Sequence, residues 1–489
     1  MTIQSIKNIK GFFLNNSTVK QTIFKNTFWL ALAASITRLS TFILLIYAAR
    51  ILGATEYGKF NFALSFVSLF VAFHSSGLLA IVTREFSGEK EKREDFYSVI
   101  SLKILLSVLA IIFILIGSFF ITSDPNIQKL ILILALYTLV NSCIGTFFAF
   151  FQARQKMEYQ ALSETVQAIL TTLICIFFLF KFPSVENLSW SYLFTTVITL
   201  LFIIIFFNLR IFPLKILWDK AVWLKFLILS WPLALSGFFD SIYTYIDSTM
   251  LGHWGMITET GWYNAAYRII FVTLIPVGWI SGSFYPILSD LFRQSKEKIQ
   301  NIWNYQMEFM ILLAFPLTVG GMALASKIIT FFYPSGYDPA IKAFQILIVV
   351  SGLIFLYRPF YDIIVASNQQ KKISRLGFIG ASSNIILNLI LIPQYKLYGA
   401  AVATLVSYIL ILLLSLKYAM EFTLINPFNQ RLIRVFINTV ISTALMYLVI
   451  TQPMIYNLNV IFSILIGCLT YFLAFFVIKK IINLAYEKV

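Results

Sequence analysis

Long apolar runs separated by short polar connections constrain this chain more than any other feature of its sequence. A helix needs about 20 mainly apolar residues to cross a hydrocarbon core ~30 Å thick. Of the 489 residues, 59% are hydrophobic and only 12% are charged. We therefore predict an all-α polytopic membrane protein with about fourteen transmembrane helices. The predicted spans are 27–49, 60–83, 99–121, 128–151, 159–181, 189–208, 228–251, 263–287, 304–326, 340–364, 375–393, 398–416, 432–450 and 458–478.

The basic residues predict how the chain is oriented in the membrane. The formal net charge is +16, which by itself is compatible with binding to nucleic acid. Most lysines and arginines, however, lie in the connections that would be cytoplasmic if the N-terminus were cytoplasmic, as the positive-inside rule describes. We expect both termini in the cytoplasm and no nucleic-acid partner.

A short motif occurs twice in the chain, and it predicts an internal repeat. Its first copy is Glu56, Gly58, Asn61 and Ala63, and its second copy is Glu259, Gly261, Asn264 and Ala266. The offset between the copies is constant, 259 − 56 = 203. The first copy follows the first predicted span, and the second copy follows the seventh. Each half therefore has six helices, and the two halves have the same orientation in the membrane.

This repeat predicts two six-helix lobes and two additional helices. The predicted segments are a cytoplasmic lead-in at 1–26, an N-terminal lobe at 27–208, a cytoplasmic linker at 209–227, a C-terminal lobe at 228–416, a second linker at 417–431, and two further helices with a tail at 432–489.

Three arginines inside the predicted spans are candidate ligands for an anion. Arg38, Arg268 and Arg358 each lie within an apolar run, where a charge costs roughly 2.5–3.5 kcal/mol unless it meets water or a partner. A guanidinium binds two phosphate oxygens at once, so a cavity lined by these arginines suits a phosphate-bearing passenger.

Other interpretations of the three arginines remain open. Arg38 lies near the middle of its span and is also compatible with pairing to a neighbouring helix, whereas Arg268 lies where its side chain can extend to the outer interface. Asp362 follows Arg358 by four residues, a spacing that allows an intrahelical ion pair. The other intramembrane candidates for charge balance or ion coupling are Glu164, Asp240 and Asp247.

Prolines within the second half predict bends, whereas catalytic and metal-binding motifs are absent from the sequence. Pro276, Pro286 and Pro316 each remove a helical hydrogen bond, and we assign them to gating or helix bending. The two histidines and three cysteines occur without a nucleophile, phosphate-loop or metal-ligand pattern. We therefore expect a transporter with no catalytic residue, no metal site and no cofactor.

Four stretches resemble a known family. Residues 48–66, 246–269, 315–347 and 384–408 are similar in order and spacing to the polysaccharide-flippase family. That family comprises the Wzx-type O-antigen and repeat-unit translocases of the multidrug/oligosaccharidyl-lipid/polysaccharide exporter superfamily. The resemblance implies a two-lobed transporter that moves undecaprenyl-pyrophosphate-linked glycan to the outer leaflet of the bacterial cytoplasmic membrane by alternating access. It also implies a polysaccharide polymerase and a chain-length regulator as partners.

The related lipid II flippases resemble this chain at individual positions. An arginine of their first helix matches Arg38, and an arginine of their eighth helix matches Arg268, after an aspartate that matches Asp247. Their second first-helix arginine falls where this chain has Leu44. The resemblance therefore implies a pyrophosphate site at Arg38 and Arg268, with Arg358 as a third candidate, and a passenger other than lipid II.

Two alternative functions stay open at this point. A cation-coupled multidrug exporter of the same superfamily would favour acidic cavity residues, which Glu164, Asp240 and Asp247 partly supply. A polytopic polysaccharide polymerase or ligase would need a large outer loop with catalytic groups, and the predicted outer loops are all short.

Overall fold

A computed structural model describes residues 18–74, 76–88, 93–294, 296–423 and 425–486. Within these residues the regular secondary structure is entirely helical. The helices are α1 (Val19–His74), α2 (Ser76–Glu85), α3 (Arg93–Ile121), α4 (Pro125–Ala153), α5 (Met157–Lys181), α6 (Val185–Arg210), α7 (Lys220–His253), α8 (Ile257–Thr273), α9 (Ile275–Gln294), α10 (Lys296–Ala323), α11 (Ala325–Phe332), α12 (Pro339–Ala366), α13 (Gln370–Thr423), α14 (Gln430–Ile450), α15 (Pro453–Tyr456) and α16 (Val460–Tyr486). The all-α polytopic fold is thus confirmed.

Twelve helices of the described part are long and apolar enough to cross a membrane, and two of them contain a break. Gly53 interrupts α1 with φ 74° and ψ 172°, a backbone conformation that is essentially restricted to glycine. Lys396 interrupts α13 with φ 53°. At about 1.5 Å per residue each of these helices would far exceed the ~30 Å hydrocarbon core, so each provides two spans. Twelve helices then give 12 + 2 = 14 spans, which agrees with the predicted number.

The break in α13 is a helical hairpin. A Cβ placed on Gly399 would lie 2.3 Å from the carbonyl oxygen of Leu391, so the chain turns back on itself between these residues. Ser383 Oγ donates to Ser407 Oγ at 3.1 Å, which joins the two arms. The glycine is needed here because any side chain would collide with the opposing backbone.

The predicted ends of several segments differ from the observed helices. Helix α1 begins at Val19, eight residues before the predicted first span, while residues 1–17 of the predicted lead-in lie outside the described residues. Helices α6 and α7 reduce the predicted 209–227 connection to Ile211–Asp219. In the part of α1 that precedes the predicted span, the buried ammonium of Lys25 pairs with Glu158 at 3.0 Å.

The chain divides into two compact units, Met1–Gly261 and Trp262–Val489. This boundary falls at the second copy of the repeated motif, whereas the predicted lobes are separated by the 209–227 connection. The lobe assignment remains a prediction.

An aromatic cluster of Phe96, Phe150, Phe207 and Phe212 lies at one end of the first unit. The ring centroids are 4.8 Å apart for Phe96 and Phe150 and 4.9 Å apart for Phe207 and Phe212. The rings join the start of α3 to the ends of α4 and α6, so these three helices are fixed at this end. Such aromatic pairs contribute about 0.5–1.5 kcal/mol each beyond the burial of their area.

An ion pair lies beside this cluster. Lys225 Nζ is 2.7 Å from a carboxylate oxygen of Glu85. Hydrogen bonding to Lys225 holds the pKa of the Glu85 carboxyl below its ordinary value, against a smaller opposing effect of burial. The pair joins the end of α2 to the start of α7.

The second unit is built around α10, α12 and the α13 hairpin. Trp303 is fully buried in its core and donates its indole N–H to the carbonyl of Pro359 at 3.1 Å. The additional helices α14 and α16 also pack on this unit, and Tyr471 of α16 donates to the carbonyl of Leu312 at 2.8 Å.

The two copies of the repeated motif touch each other within the first unit. Thr55 Oγ1 and Thr258 Oγ1 are 2.8 Å apart, and these residues are separated by the same offset of 203 as the motif. The contact therefore supports the internal repeat predicted from the sequence.

Two glycines permit this close approach. A Cβ on Gly58 would lie 1.9 Å from the carbonyl oxygen of Ile257, and one on Gly261 would lie 2.0 Å from that of Ala54. Because 54 + 203 = 257 and 58 + 203 = 261, the two contacts are equivalent under the repeat. Glycine occupies both positions because the backbones are in direct contact.

We predict that Gly58→Ala and Gly261→Ala each destabilise the protein. An added methyl group must displace the opposing backbone, and overpacking of this kind costs about 1–3 kcal/mol. Thermal unfolding of the full chain in detergent measures the effect as a lower midpoint. Gly278→Ala is the matched control, because no atom lies within 4 Å of its added Cβ, and alanine there favours the helix by up to about 1 kcal/mol. An unchanged midpoint in both test variants would contradict the contact.

Candidate functional site

A cavity of about 580 Å³ lies within the first unit and is lined by residues of α1, α2, α4, α5 and α6. Most residues that line it are polar. The polar lining residues are Thr37, Arg38, Thr41, Tyr137, Thr138, Asn141, Ser142, Glu164, Gln167, Thr171, Thr172, Tyr192 and Thr196. Among the described lining residues, Arg38 is the only cation and Glu164 the only acid.

Helical periodicity places these side chains on one side of each helix. On α5 the lining residues Glu164, Gln167, Thr171 and Thr172 recur at intervals of three, four or one residues, and so form one stripe. Leu173, with 60% of its surface exposed, lies on another face of the same helix. The amphipathic pattern therefore directs the polar stripe to the cavity and the apolar surface to lipid.

Arg38 lines this cavity from the part of α1 that precedes the break at Gly53. Within the part of the chain that the structure describes, its guanidinium has neither a hydrogen bond nor an ion pair, although it lines the same cavity as Glu164. The alternative in which Arg38 is satisfied by a neighbouring acid thus has no support from these contacts. An unpaired guanidinium inside a span needs water or an anionic ligand.

Glu164 is held by a chain of amide side chains. Gln160 Nε2 donates to Glu164 Oε1 at 2.8 Å, and Gln152 Nε2 donates to Gln160 Oε1 at 2.9 Å. Each amide points its N–H toward the next acceptor, so the chain ends with a donor directed at the carboxylate. This arrangement fixes the position of the Glu164 side chain in the cavity.

A second group of amides lines the same cavity. Gln167 Nε2 is 3.3 Å from Asn141 Oδ1 and 3.3 Å from Thr196 Oγ1. Tyr137 and Tyr192 also line the cavity, with their ring centroids 5.5 Å apart in an edge-to-face arrangement. Asn141 and Gln167 were not among the sequence-based candidates, although the polar stripe of α5 was a signal that could have identified Gln167.

Arg358 and Asp362 form the intrahelical ion pair that their spacing predicts. Arg358 Nε lies 2.9 Å from Asp362 Oδ1 and donates to Ser281 Oγ at 3.1 Å. Gln306 Nε2 donates to the other carboxylate oxygen at 2.7 Å. The Asp362 side chain is 2% exposed. This arginine is therefore neutralised within its own helix, in contrast to Arg38.

The remaining candidate charges are not among the residues that line the Arg38 cavity. Arg268 belongs to the second unit, and its guanidinium carbon is 6.0 Å from the centre of the Phe271 ring. Asp247 is buried on α7. Asp240 lines a separate pocket of about 380 Å³ with the hydroxyl residues Ser236 and Thr244.

The candidate prolines differ in their local structure. Helix α8 ends at Thr273 and α9 begins at Ile275, so the helix is interrupted directly before Pro276. Pro286 and Pro316 lie inside α9 and α10, and both helices continue through them. The assignment of these prolines to gating stays a prediction.

Comparison with known sequences identifies a family and a relative. The profile of the family described as polysaccharide biosynthesis protein matches residues 23–292. A protein named probable flippase AglR, from Haloferax volcanii, is 26% identical over 338 residues, which are 65% of this chain and 67% of that protein.

Comparison with solved structures identifies similar folds. The lipid II flippase MurJ, in an inward closed conformation, matches with a TM-score of 0.75 at 18% identity, over 92% of this chain and 98% of that one. A multidrug resistance MATE family transporter of the MOP superfamily, in an inward-facing conformation, matches with a TM-score of 0.60 at 13% identity, over 80% of this chain and 98% of that one. At these identities the likeness concerns the fold alone.

We predict that Asp362→Ala destabilises the second unit. The substitution leaves Arg358 and the Gln306 amide without their carboxylate, and an unsatisfied buried polar group costs about 1–3 kcal/mol. Thermal unfolding of the full chain in detergent is expected to shift to lower temperature. Asp338→Ala serves as the control, because Asp338 is exposed and its side chain caps no helix. Equal midpoints for the two variants would show that the ion pair is not structural.

Proposed function

The chain belongs to the polysaccharide biosynthesis protein family, and we propose that it is a flippase for undecaprenyl-pyrophosphate-linked oligosaccharide repeat units. It moves them from the cytoplasmic to the outer leaflet by alternating access, for surface polysaccharide of the O-antigen or capsule type. The similarity to a protein named as a probable flippase and to two transporter folds supports this proposal. In this proposal the protein resides in a bacterial cytoplasmic membrane with both termini in the cytoplasm, and it is not an enzyme.

The observation that carries the proposal is the unpaired guanidinium of Arg38 in a polar cavity. Arginine presents its N–H donors in a planar fork that matches the oxygens of a phosphate. The cavity around it also provides hydroxyl and amide groups. These groups can replace part of the water that a pyrophosphate loses when it enters the membrane. We assign Arg38 as the principal pyrophosphate ligand.

The other two arginines take secondary places in this proposal. Arg358 already binds Asp362, so an incoming phosphate would have to compete with that carboxylate. Arg268 remains a second candidate ligand on the basis of its position after the repeated motif. The polyprenyl chain stays in the lipid, because its burial in the polar cavity would forfeit its hydrophobic stabilisation.

The acids and prolines have supporting roles in the proposed cycle. Glu164 shares the cavity with Arg38 and balances its charge when the passenger is absent. Asp240, Asp247 and Asp362 are the other candidates for charge balance or ion coupling. Pro276 lies at the observed helix interruption and is the candidate bend for gating. A polymerase and a chain-length regulator are the proposed partners downstream.

A multidrug exporter is the second candidate function, because the fold is also similar to that of a MATE family transporter. Such a protein would bind cations, and the cavity of the first unit offers them Glu164. The unpaired Arg38 opposes a cationic passenger by like-charge repulsion. A cationic passenger is therefore less compatible with this cavity than an anionic one.

We predict that Arg38→Ala abolishes most glycan export. The loss of a charge-assisted hydrogen bond costs about 1.5–3 kcal/mol, which corresponds to roughly a 10- to 100-fold weaker interaction with the pyrophosphate. The measurement is surface polysaccharide in a bacterium that lacks its own repeat-unit flippase and expresses this chain. Arg38→Lys keeps the charge but not the fork, so it is expected to export at an intermediate level.

The matched control for this experiment is Arg84→Ala. Arg84 lies at the end of α2, pairs with the neighbouring Glu85 and is 60% exposed. Export by this variant should equal that of the wild type at equal membrane abundance. Normal export by Arg38→Ala would refute the phosphate site. Transport of a cationic dye, and not of a fluorescent pyrophosphate lipid, by reconstituted protein would favour the multidrug alternative.

A further inference from the structure

The cavity of the first unit contains more uncharged polar groups than a phosphate requires. A pyrophosphate is bound by cations and N–H donors, yet the described lining includes six threonines, two tyrosines and two side-chain amides with a single arginine. Uncharged polar groups inside a membrane span also carry a desolvation cost unless they are satisfied. Their number points to a passenger that presents many hydroxyl groups beside its phosphates.

Several of these polar groups are already satisfied by the backbone, whereas the two side-chain amides keep unused hydrogen-bonding capacity. Thr138 and Thr196 donate to carbonyls of their own helices, as hydroxyls within helices commonly do. Gln167 uses its N–H group toward Asn141 Oδ1 and Thr196 Oγ1. Among the described residues, no hydrogen bond reaches Gln167 Oε1 or is made by Asn141 Nδ2. One acceptor and one donor thus remain next to each other in the cavity.

This pair has the chemistry of a hydroxyl-binding site. A sugar hydroxyl both donates and accepts, so it can donate to Gln167 Oε1 while the same or a neighbouring hydroxyl accepts from Asn141 Nδ2. The Tyr137 ring lines the same cavity and offers an apolar face with a polar tip. Such a face packs against the C–H groups of a sugar ring.

We propose that Asn141 and Gln167 form a subsite for an uncharged, hydroxyl-bearing sugar that adjoins the pyrophosphate at Arg38. This inference rests on the proposed flippase function and extends it to the glycan part of the passenger. Glu164 provides a further acceptor, held in place by Gln160. The subsite separates two tasks within one cavity, since Arg38 recognises the phosphate that all such lipids share and the amides recognise what is attached to it.

The test compares the binding of two lipids to the purified full chain in detergent. The probes are undecaprenyl pyrophosphate and the same lipid carrying one N-acetylhexosamine, titrated while tryptophan fluorescence is recorded. The wild type is expected to bind the sugar-bearing lipid more tightly. Asn141→Ala and Gln167→Ala should each weaken its binding about three- to tenfold, because each removes one hydrogen bond to an uncharged group. Neither variant should change the affinity for the sugar-free lipid by more than about twofold.

Two further variants distinguish the possible causes of a loss. Gln128→Ala truncates another amide of α4, one that donates to the carbonyl of Thr122 outside the cavity, and should leave both affinities unchanged. Arg38→Ala should weaken the binding of both lipids by the same factor. The unfolding midpoint of every variant is measured in parallel, so that a fall in affinity for both lipids through misfolding is recognised.

Different outcomes test the sugar subsite and the proposed flippase function on which it rests. Equal affinity of the wild type for the two lipids, or an equal loss of both affinities in Asn141→Ala and Gln167→Ala, would overturn the sugar subsite while the pyrophosphate site stands. A wild type that binds neither lipid would overturn the proposed function itself, and the subsite with it. Selective loss of the sugar-bearing lipid in both variants supports the subsite.

Discussion

Polar side chains within the hydrocarbon need a hydrogen-bonding partner, water or a bound ligand, and this constraint governs the arrangement of the first unit. Hydroxyl groups meet it locally, as Thr195, Thr196 and Thr199 show by donating to carbonyls of their own helix. Amides and charges carry more hydrogen-bonding capacity than one helix can satisfy. The stripes of α1, α4 and α5 that bear them therefore face a common cavity, while their other sides remain apolar.

A steric constraint, the direct contact of two backbones, explains the glycines of the two repeated turns. Two helix ends approach so closely at Gly58 and Gly261 that each backbone lies against a carbonyl of the other copy. Thr55 and Thr258 then satisfy each other at the centre of the contact. The repeat in the sequence indicated that the two segments are related, but it carried no information on whether they touch. A glycine conserved between copies has several possible causes, and only the structure identifies backbone contact as the cause here.

How far the sequence predicts this molecule depends on how local each interaction is. Hydropathy predicted the fourteen spans because each span satisfies its own backbone, and the spacing of Arg358 and Asp362 predicted their ion pair because both residues lie on one helix. The burial of Lys25 was not predictable, because its partners Gln155 and Glu158 are distant in the chain. The sequence did not predict Asn141 and Gln167 as site residues for a related reason. Neither is charged, and their proximity depends on the packing of α4 against α5.

The mixed charge of the cavity fits the demands on a carrier better than a purely cationic lining does. A site with several unpaired arginines in a medium of low dielectric constant would hold a pyrophosphate so strongly that its release would be slow. Glu164 in the same cavity offsets part of that attraction. Hydrogen bonds to uncharged groups are individually weak in net terms. They therefore make the site more selective for its passenger without greatly slowing the release of that passenger. A transporter that must bind on one side and release on the other benefits from this division, because its passenger has to have similar free energies at both ends of the cycle.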